Sequence, residues 1–492
     1  FSIHHIPIDD AEVYHMMAKG DTMGVFQFES AGMRHVLLQM QPEQLEDLTA
    51  ALSLYRPGPR DSIPQYLENR KHPDKISYVH PSLKPILEVT YGCMVYQEQV
   101  MEICRTLAGY SYGRADIVRR AMSKKDQAVM EQEREIFLYG LKDVCCGAIQ
   151  NGIPKSVAES IFDEISRFAS YAFNKSHAVA YAYLAYQTAY LKCHYFSAYM
   201  AALMTSVIGD FPKLLSYISE CQKSGVAVLP PHINESHAVF TCTQKGIRFG
   251  LSAVKNVGVA LIEKLEQERQ KNGIFTSLYD FCQRMQGMEL NKRALESLIQ
   301  SGALDGLGWN RRQMLQQYEQ ILSSVKETAA TQLTGQMQLF SMAVAGSWQE
   351  PIPEPVEEFS QIELLHMERE VTGMYISGNP LYPVQYLCRL LHTTTVSVLS
   401  SFPDQRKVCI VGILQQIKSH LTKSNERMCF FQLEDLTGAV DCIAFPAIFR
   451  AVQQKLQVDS ILWCKGTLSV KENGISILCD SILTLEELQK QV

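Results

Sequence analysis

The hydrophobic pattern of this chain changes its period along the 492 residues, which excludes one uniform fold. Over residues 1–230 apolar side chains recur every three to four positions, as at 46–54 and 97–107, and this spacing predicts helices. Beyond residue 396 the spacing gives way to short β-rich runs. Because the length also exceeds that of one typical domain, we predict a multidomain α+β protein.

The C-terminal region, residues 396–492, carries the strongest β signal. Five β-rich runs are followed by turn residues, and one helix-like segment at 447–456 separates the third from the fourth. The runs lie at 407–417, 428–433, 439–445, 460–468 and 474–483. Five strands with that interruption predict a C-terminal β-barrel of the OB-fold type.

The middle region, residues 231–395, contains a hairpin signal followed by a helix. Residues 240–251 predict two strands, and Val254-Lys-Asn-Val-Gly-Val-Ala260 then leads into a helix. A glycine-bearing hairpin before a helix N-terminus presents backbone N–H groups to a phosphate. The pattern resembles helix-hairpin-helix units, which hold duplex DNA by its backbone, and this resemblance makes Lys255, Asn256 and Gly258 candidate contacts to a DNA backbone. A polar linker is predicted at 322–360.

Charge and cysteine content narrow the classes of protein. The net charge of −6 excludes a uniformly basic protein but not local basic patches. The 14 cysteines form no CxxC or zinc-like spacing, which predicts reduced thiols in a cytoplasmic protein without a structural metal. No apolar run predicts a membrane span. Because the chain begins at Phe1 and not at Met, we expect a piece of a longer polypeptide.

A basic segment at 113–125 is the first candidate binding site. Arg119, Arg120 and Lys124 span little more than one helical turn, and Arg120 and Lys124 share a face. Two guanidiniums and an ammonium directed at one point can neutralise a triphosphate. The alternative is a solvated basic face, and spacing alone does not decide between them.

An aromatic turn at 171–177 is the second candidate. Tyr171, Phe173 and His177 precede or open a helix rich in Tyr and Ala, with Lys175 among them. Aromatics beside cations suit a ligand that carries both bases and phosphates. The alternative is structural: Asn174 or Ser176 caps the helix and His177 makes a local hydrogen bond.

These two segments closely resemble the fingers region of the C family of bacterial replicative DNA polymerases. The resemblance continues through 24–30, 91–101, 368–380 and 431–439, and so covers essentially the whole chain. It implies a mostly helical fingers region at 1–230, a helix-hairpin-helix and clamp-binding region at 231–395, and an OB-fold at 396–492. The implied function is template-directed addition of dNTPs to a primer 3′ end.

The resemblance also assigns roles to the candidate residues. Arg119, Arg120, Lys124 and Lys175 would bind the phosphates of the incoming nucleotide. The nascent base pair and its sugar would lie against three aromatic residues: Tyr171, Phe173 and His177. In the OB-fold, Phe430, Phe431 and Trp463 are candidates for stacking on single-stranded template, although alternation predicts that two of the three are core.

The carboxylates that a polymerase needs for its two Mg²⁺ ions are missing from the sequence. No Asp-x-Asp occurs, and adjacent Asp9 and Asp10 would point to opposite faces of a strand. In the family these aspartates belong to the palm, which by resemblance ends before Phe1. We therefore predict no catalytic residue and no metal ligand in this chain, no activity of the chain alone, and Mg²⁺ bound by the palm of the intact enzyme.

A short motif, Gln336-x-x-Leu339-Phe340, lies in the predicted linker. Such motifs dock two apolar side chains in a pocket while the Gln hydrogen-bonds at its rim. In the family an element of this kind binds the sliding clamp. The implied partners are therefore primer-template DNA, dNTPs, the sliding clamp and, for the intact protein, replisome subunits, with no membrane.

Two functions of other classes remain open. The chain could be a non-catalytic adaptor that binds DNA and the clamp through a degenerate fingers-like region. A repair ligase or nuclease with hairpin and OB modules is the other alternative, and it lacks the Lys-x-Asp-Gly nucleophile of ligases here.

Overall fold

A computed structural model describes residues 1–56, 59–124, 126–169, 173–333, 354–422, 424–471 and 474–490. The chain forms two compact units. The first contains Phe1–Met204 and Ser216–Ser224, and the second contains Thr205–Leu215 and Gly225–Val492. This division does not test the three predicted regions 1–230, 231–395 and 396–492, which stay predictions. Among the described residues, no helix combines the length and apolar character that crossing a bilayer requires.

The first unit is helical, as its periodicity predicted. Its α-helices are α1 (Ala11–Ala18), α2 (Ala31–Met40), α3 (Leu45–Leu54), α4 (Ile63–Lys71), α5 (Lys84–Leu87), α6 (Gln97–Ala108), α7 (Tyr112–Lys124), α8 (Gln127–Tyr139), α9 (Lys155–Ala169) and α10 (Lys175–His194). Two further helices, α11 (Phe196–Ser206) and α12 (Phe211–Lys223), are divided between the units.

Two separate hydrophobic cores hold the first unit together. One contains Leu48 of α3 and Tyr186 of α10, and the other contains Val118 of α7 and Phe162 of α9. The basic segment on α7 therefore packs on the core that contains Val118 and Phe162. The helix after the aromatic turn, α10, packs in the core that contains Leu48 and Tyr186. The long α6 connects the two sites, because its first turn meets the aromatic turn and its body packs against α7.

The apolar stretch 178–204 forms two helices. α10 ends at His194, Tyr195 leaves the helical conformation (φ −132°, ψ 42°), and α11 begins at Phe196. Small residues of α10, including Ala182 and Ala185, are fully buried and allow close packing against α3. Of the tyrosines along α10, Tyr186 is buried but Tyr181 is 37% exposed.

The predicted hairpin forms in the second unit. Its strands are β2 (Thr241–Thr243) and β3 (Gly246–Arg248), and β1 (Val228–Leu229) pairs parallel with β3 to give the order β1-β3-β2. The helices that follow are α13 (Val259–Asn272), α14 (Leu278–Arg284), α15 (Lys292–Gln300), α16 (Arg311–Leu333), α17 (Gln361–Thr372) and α18 (Gln385–Leu390). The linker predicted at 322–360 was wrong at its start, since α16 continues to Leu333.

A closed five-stranded barrel ends the chain and confirms the predicted fold. The strands are β4 (Lys407–Leu421), β5 (Arg427–Glu434), β6 (Ala439–Ala444), β7 (Ile461–Lys471) and β8 (Gly474–Thr484). They close in the order β4-β5-β6-β8-β7, with α19 (Pro446–Val452) between the third and fourth strands and α20 (Leu485–Gln489) after the fifth. Closure pairs both edges of the sheet, which removes exposed edge strands.

Candidate nucleic-acid interface

The solvent face of α7 carries two arginines that share one carboxylate. The Nε of Arg119 donates to Asp116 Oδ1 at 2.6 Å, and the Nε of Arg120 lies 2.7 Å from Asp116 Oδ2. The Arg119 side chain is 31% exposed and that of Arg120 is 69% exposed. Lys124, the last residue of the helix, is also exposed.

Asp116 aligns the two guanidiniums and also competes for them. The hydrogen bond from Arg119 and the charges of both arginines hold the pKa of Asp116 below its usual range. Asp116 therefore stays ionised at neutral pH and keeps the two cations on one side of the helix. A phosphate that binds here must attract them more strongly than this carboxylate does.

Two arginines within or near the basic segment are paired inside the helical unit. The guanidinium of Arg114 donates to the buried Glu133 of α8 at 2.7 Å, and Glu133 also accepts the hydroxyl of Tyr110 at 3.1 Å. Arg105, which precedes the segment, donates to Glu102 at 2.6 Å and lies 3.4 Å above the ring centre of Tyr112. Among the described cations of the basic segment, Arg119, Arg120 and Lys124 thus form the solvent-facing group.

The start of α10 is capped as the structural alternative predicted. The side-chain oxygen of Asn174 accepts the N–H of His177 at 2.9 Å, and its amide nitrogen donates to Glu98 Oε1 at 3.0 Å. The N–H of Lys175 also donates to Glu98, at 3.0 and 3.1 Å from the two carboxylate oxygens. A carboxylate at a helix N-terminus is stabilised by the free N–H groups and by the helix dipole.

An aromatic row runs from this cap along one side of α10. The His177 ring lies 5.5 Å edge-on from Phe173 and 4.2 Å from Tyr181, and Phe26 lies 5.4 Å from Tyr181, measured between ring centres. The guanidinium carbon of Arg56 lies 3.8 Å above the ring centre of Phe173. Planar rings beside a cation provide the stacking and charge that a nucleotide needs.

The ammonium of Lys175 is paired with an acidic side chain. Its ammonium lies 3.0 Å from Glu46 Oε1 and 4.9 Å from the ring centre of Tyr96. The Tyr96 hydroxyl donates to the same Glu46 oxygen at 3.1 Å. Lys175 thus has an acidic partner in α3, and binding a phosphate would require it to leave that partner.

The backbone before α6 fixes the aromatic turn. Phe173 forms an isolated parallel bridge with Tyr96, and the N–H of Gln97 donates to the carbonyl of Phe173 at 2.9 Å. Because Tyr96 and Gln97 lie at the start of α6, this helix ties the turn to the core that supports α7. The sequence did not indicate this connection, since 76 residues separate Glu98 from Asn174.

Of the three candidate residues in the helix-hairpin-helix region, Lys255 and Asn256 make contacts within the protein, and Gly258 faces open space. The backbone N–H of Lys255 donates to the carbonyl of Val371 at 2.8 Å, and its ammonium donates to the carbonyl of Glu370 at 2.6 Å. The Asn256 amide donates to Ser297 at 3.0 Å from a left-handed backbone (φ 63°). Gly258 precedes α13 without a side-chain cap, and a Cβ there would meet open space.

The OB barrel carries a groove of about 390 Å³ on one face. Phe430, 40% exposed, lines it beside Lys418, which is its partner across β4 and β5. Phe431 points into the barrel core, and Trp463 packs on the outer side against a second small core. Of the three candidate aromatics, Phe430 alone lies open to a base on this face.

The structure adds residues that the sequence did not single out as binding candidates. They are Phe26, Arg56 and Tyr181 in the aromatic row, and Lys418 beside the OB groove. The position of Arg56 within Tyr55-Arg-Pro-Gly-Pro59 was a usable signal, because prolines force a compact loop. The predicted site residues Tyr171, Gln336, Leu339 and Phe340 lie outside the described residues.

Comparisons with known families agree with these elements. The bacterial DNA polymerase III alpha subunit finger domain matches residues 1–145. A helix-hairpin-helix motif matches residues 225–314, and an OB-fold nucleic acid binding domain matches residues 408–485. Together with the helical unit, the hairpin and the barrel, these matches define a multidomain protein of the nucleic-acid-binding class.

The relatives extend over the whole chain. It is 38% identical to DNA polymerase III subunit alpha of Borreliella burgdorferi, over 100% of this chain and 42% of that protein. The corresponding Thermus aquaticus protein is 38% identical, over 98% of this chain and 39% of that protein. The protein of Staphylococcus aureus strain MRSA252 is 36% identical, over 99% of this chain and 44% of that protein. The chain belongs to the family of bacterial DNA polymerase III alpha subunits, and it spans about two fifths of the length of these curated relatives.

Solved structures add little. The hypothetical protein ygiW from E. coli aligns with 19% of this chain and 89% of its own length, at 16% identity and a TM-score of 0.16, which is too low to inform the fold.

Proposed function

We propose that this chain is the nucleotide- and DNA-binding part of a replicative DNA-directed DNA polymerase. The observation that carries the proposal is the Arg119–Arg120 pair on α7, aligned by Asp116 within the segment that matches the finger domain. Two adjacent guanidiniums on a solvent face suit the phosphates of a dNTP. The match of the whole chain to DNA polymerase III alpha subunits supports the same conclusion.

The arginines would act on the triphosphate by exchanging partners. Arg119 and Arg120 would leave Asp116 for phosphate oxygens, and Lys124 would add a third positive charge at the end of the helix. Negative charge accumulates on the pyrophosphate as it leaves, so these hydrogen bonds strengthen toward the transition state. Before the nucleotide binds, Asp116 would hold the two guanidiniums in place, and it would not itself contact the nucleotide.

The aromatic row would support the base and the sugar. Phe173 and His177 present rings at the cap of α10, and Arg56 covers one face of Phe173. We propose that the nascent base pair stacks here, with His177 at the sugar and Tyr171 beside it. Lys175 would reach a phosphate only after leaving Glu46.

Primer-template DNA would be held by the two modules of the second unit. The uncapped start of α13 at Gly258 offers backbone N–H groups to a phosphate, while Lys255 and Asn256 hold the loop before α13 against α17 and α15. Single-stranded template would lie in the OB groove, with a base on Phe430 and a phosphate near Lys418.

The Mg²⁺ ions of such a polymerase do not fit the residues of this chain. Among the described residues, the two clusters of three or more potential metal ligands contain thiols, or a thiol with an imidazole. Mg²⁺ instead prefers an all-oxygen set with several carboxylates. Asp10 is engaged as the cap of α1 and beside His194. We propose that carboxylates in another part of the intact protein hold these ions.

The chain alone is expected to bind primer-template but not to extend it. The test mixes it with labelled primer-template, dNTPs and Mg²⁺ and measures DNA binding and product length. Binding without extension supports the proposal, because the two-metal carboxylates are elsewhere. Extension above that of a mock preparation would contradict the division of labour, and absence of DNA binding would contradict the proposed function itself.

Attachment to the sliding clamp is expected to depend on Leu339 and Phe340. Burying these two side chains contributes roughly 1.5–3 kcal/mol each before the cost of ordering the segment, so an affinity in the micromolar range is expected. Leu339→Ala combined with Phe340→Ala should abolish binding to the bacterial ring clamp, measured by calorimetry. Met337→Ala with Gln338→Ala is the matched control, because these residues are the spacers of the motif.

The thermal melting of the same proteins separates a docking motif from a structural one. A docking motif predicts an unchanged melting temperature and unchanged DNA affinity in the Leu339 and Phe340 variant. A lower melting temperature with intact clamp affinity would show that the two side chains pack on the chain itself.

A further inference from the structure

Three cysteine thiols meet inside the OB barrel. Cys442 lies on β6, Cys464 on β7 and Cys479 on β8, and their sulfur atoms all lie within 4.8 Å of one another. The sulfur atoms of Cys464 and Cys479 are 3.3 Å apart. The three residues are almost completely buried, at 0%, 0% and 4% exposure respectively.

The strand register brings these thiols together. β6 pairs parallel with β8, where Cys442 lies opposite Ile477, two positions from Cys479. β7 pairs antiparallel with β8, with a shift between Lys465 and Gly466 that leaves Gly466 opposite Cys479. A Cβ at Gly466 would lie 2.3 Å from the carbonyl oxygen of Leu478, so this close approach requires glycine.

We propose that Cys442, Cys464 and Cys479 form a binding site for one thiophilic divalent cation, with Zn²⁺ as the natural ligand. Zinc–sulfur bonds of about 2.3 Å in tetrahedral geometry place sulfur ligands roughly 3.8 Å apart. Here the sulfur atoms of Cys464 and Cys479 are 3.3 Å apart and all three lie within 4.8 Å of one another, which is compatible with that value. Small side-chain rotations therefore supply three of the four ligands of a zinc site.

The donor set and the charge select the metal. Three sulfur ligands favour soft or borderline cations and disfavour Mg²⁺ and Ca²⁺, which prefer oxygen. Binding releases three protons, because each thiol coordinates as a thiolate. Zn²⁺ with three thiolates leaves one net negative charge, whereas Cu⁺ would leave two. Since an apolar barrel disfavours buried charge, Zn²⁺ is the better match.

A bound cation would join three strands of the barrel from within. This role is separate from nucleotide and DNA binding, and it does not depend on the proposed polymerase function. It also departs from the prediction of a protein without a structural metal, which rested on linear cysteine spacing. The three ligands come from three strands, so no CxxC motif marks them.

The test uses Cd²⁺ as a spectroscopic probe on the full chain. The protein is refolded from denaturant under reducing conditions with Cd²⁺, gel-filtered and assayed for metal. We expect about one tightly held Cd²⁺ per chain with a sulfur-to-metal absorption band, loss of that band when excess Zn²⁺ competes with Cd²⁺ during refolding, and a higher melting temperature. Cys464→Ala should lose the metal, the band and the thermal shift.

Cys282→Ala is the matched control, because Cys282 is a buried thiol (1% exposed) in α14 of the same unit. It should retain the metal. Wild-type protein that retains no Cd²⁺ would overturn the proposal whether or not the variants fold, as would equal retention by Cys464→Ala. A Cys464–Cys479 disulfide recovered by non-reducing peptide mapping from protein isolated without added oxidant would also overturn it and identify a redox pair.

Discussion

Replacing Arg120 by alanine in a full-length polymerase that contains this chain is expected to lower kcat/KM for the incoming dNTP by about 10²-fold. Arg120 is 69% exposed yet held 2.7 Å from Asp116, so its guanidinium is oriented before a nucleotide arrives. The loss should fall mainly on kcat, because hydrogen bonds to the leaving pyrophosphate strengthen in the transition state. Single-nucleotide incorporation at varied dNTP concentration measures both constants.

Arg134→Ala provides the control for this prediction. Arg134 of α8 pairs with Asp163 of α9 at 2.9 Å and is 34% exposed, so it is also a solvent-facing arginine–aspartate pair in the same unit. Its replacement should leave dNTP kinetics unchanged. If Arg120→Ala instead leaves kcat/KM unchanged and weakens only salt-dependent DNA affinity, α7 is a DNA-backbone surface, and the adaptor function is the better description.

Removing the carboxylate of Glu368 is expected to be the most damaging change for stability. Glu368 is fully buried and accepts a hydrogen bond from the guanidinium of Arg311 at 3.1 Å. The N–H group of Ser377 also donates to it, at 3.0 Å. Glu368→Ala leaves Arg311 buried without this partner, so the free energy of unfolding of the second unit should fall by about 3–5 kcal/mol.

Urea unfolding followed by tryptophan fluorescence tests this, since Trp309 and Trp463 both lie in the second unit. Glu370→Ala is the control, because Glu370 lies on the same helix but is exposed, and its midpoint should not move. A loss below 1 kcal/mol for Glu368→Ala would show that the remaining contact of Arg311 with Asp305, at 2.8 Å, is sufficient.

Local patterns predicted most of the secondary structure. The helices at 45–54 and 97–108, the hairpin at 241–248 and all five barrel strands formed close to their expected bounds. These elements depend on the spacing of apolar residues and on turn glycines, which act within a few positions along the chain. The break at Tyr195 has no such signal, because both flanking segments are apolar, and hydrophobicity alone does not mark a helix end.

The candidate sites were predicted as residue types but not as geometry. The sequence identified the segment containing Arg119 and Arg120, yet not that Asp116 pairs with both or that Arg114 belongs to the buried Glu133. It identified Lys175, but not the acidic partner Glu46 in another helix. Charge pairing across helices depends on packing, which linear spacing does not describe.

The classes of element, the order of the modules and the family follow from the sequence alone, because they depend on local periodicity and on matches along the whole chain. Which cations face solvent, which aromatics are open and which thiols meet depends instead on tertiary packing. Phe430 and Phe431 are neighbours on β5 and therefore point to opposite faces of the strand. The barrel decides which face is inside, so that Phe431 packs in the core and Phe430 lies outward. Cys442, Cys464 and Cys479 are distant in sequence, but strand pairing brings their sulfur atoms together, because register fixes side chains in three dimensions.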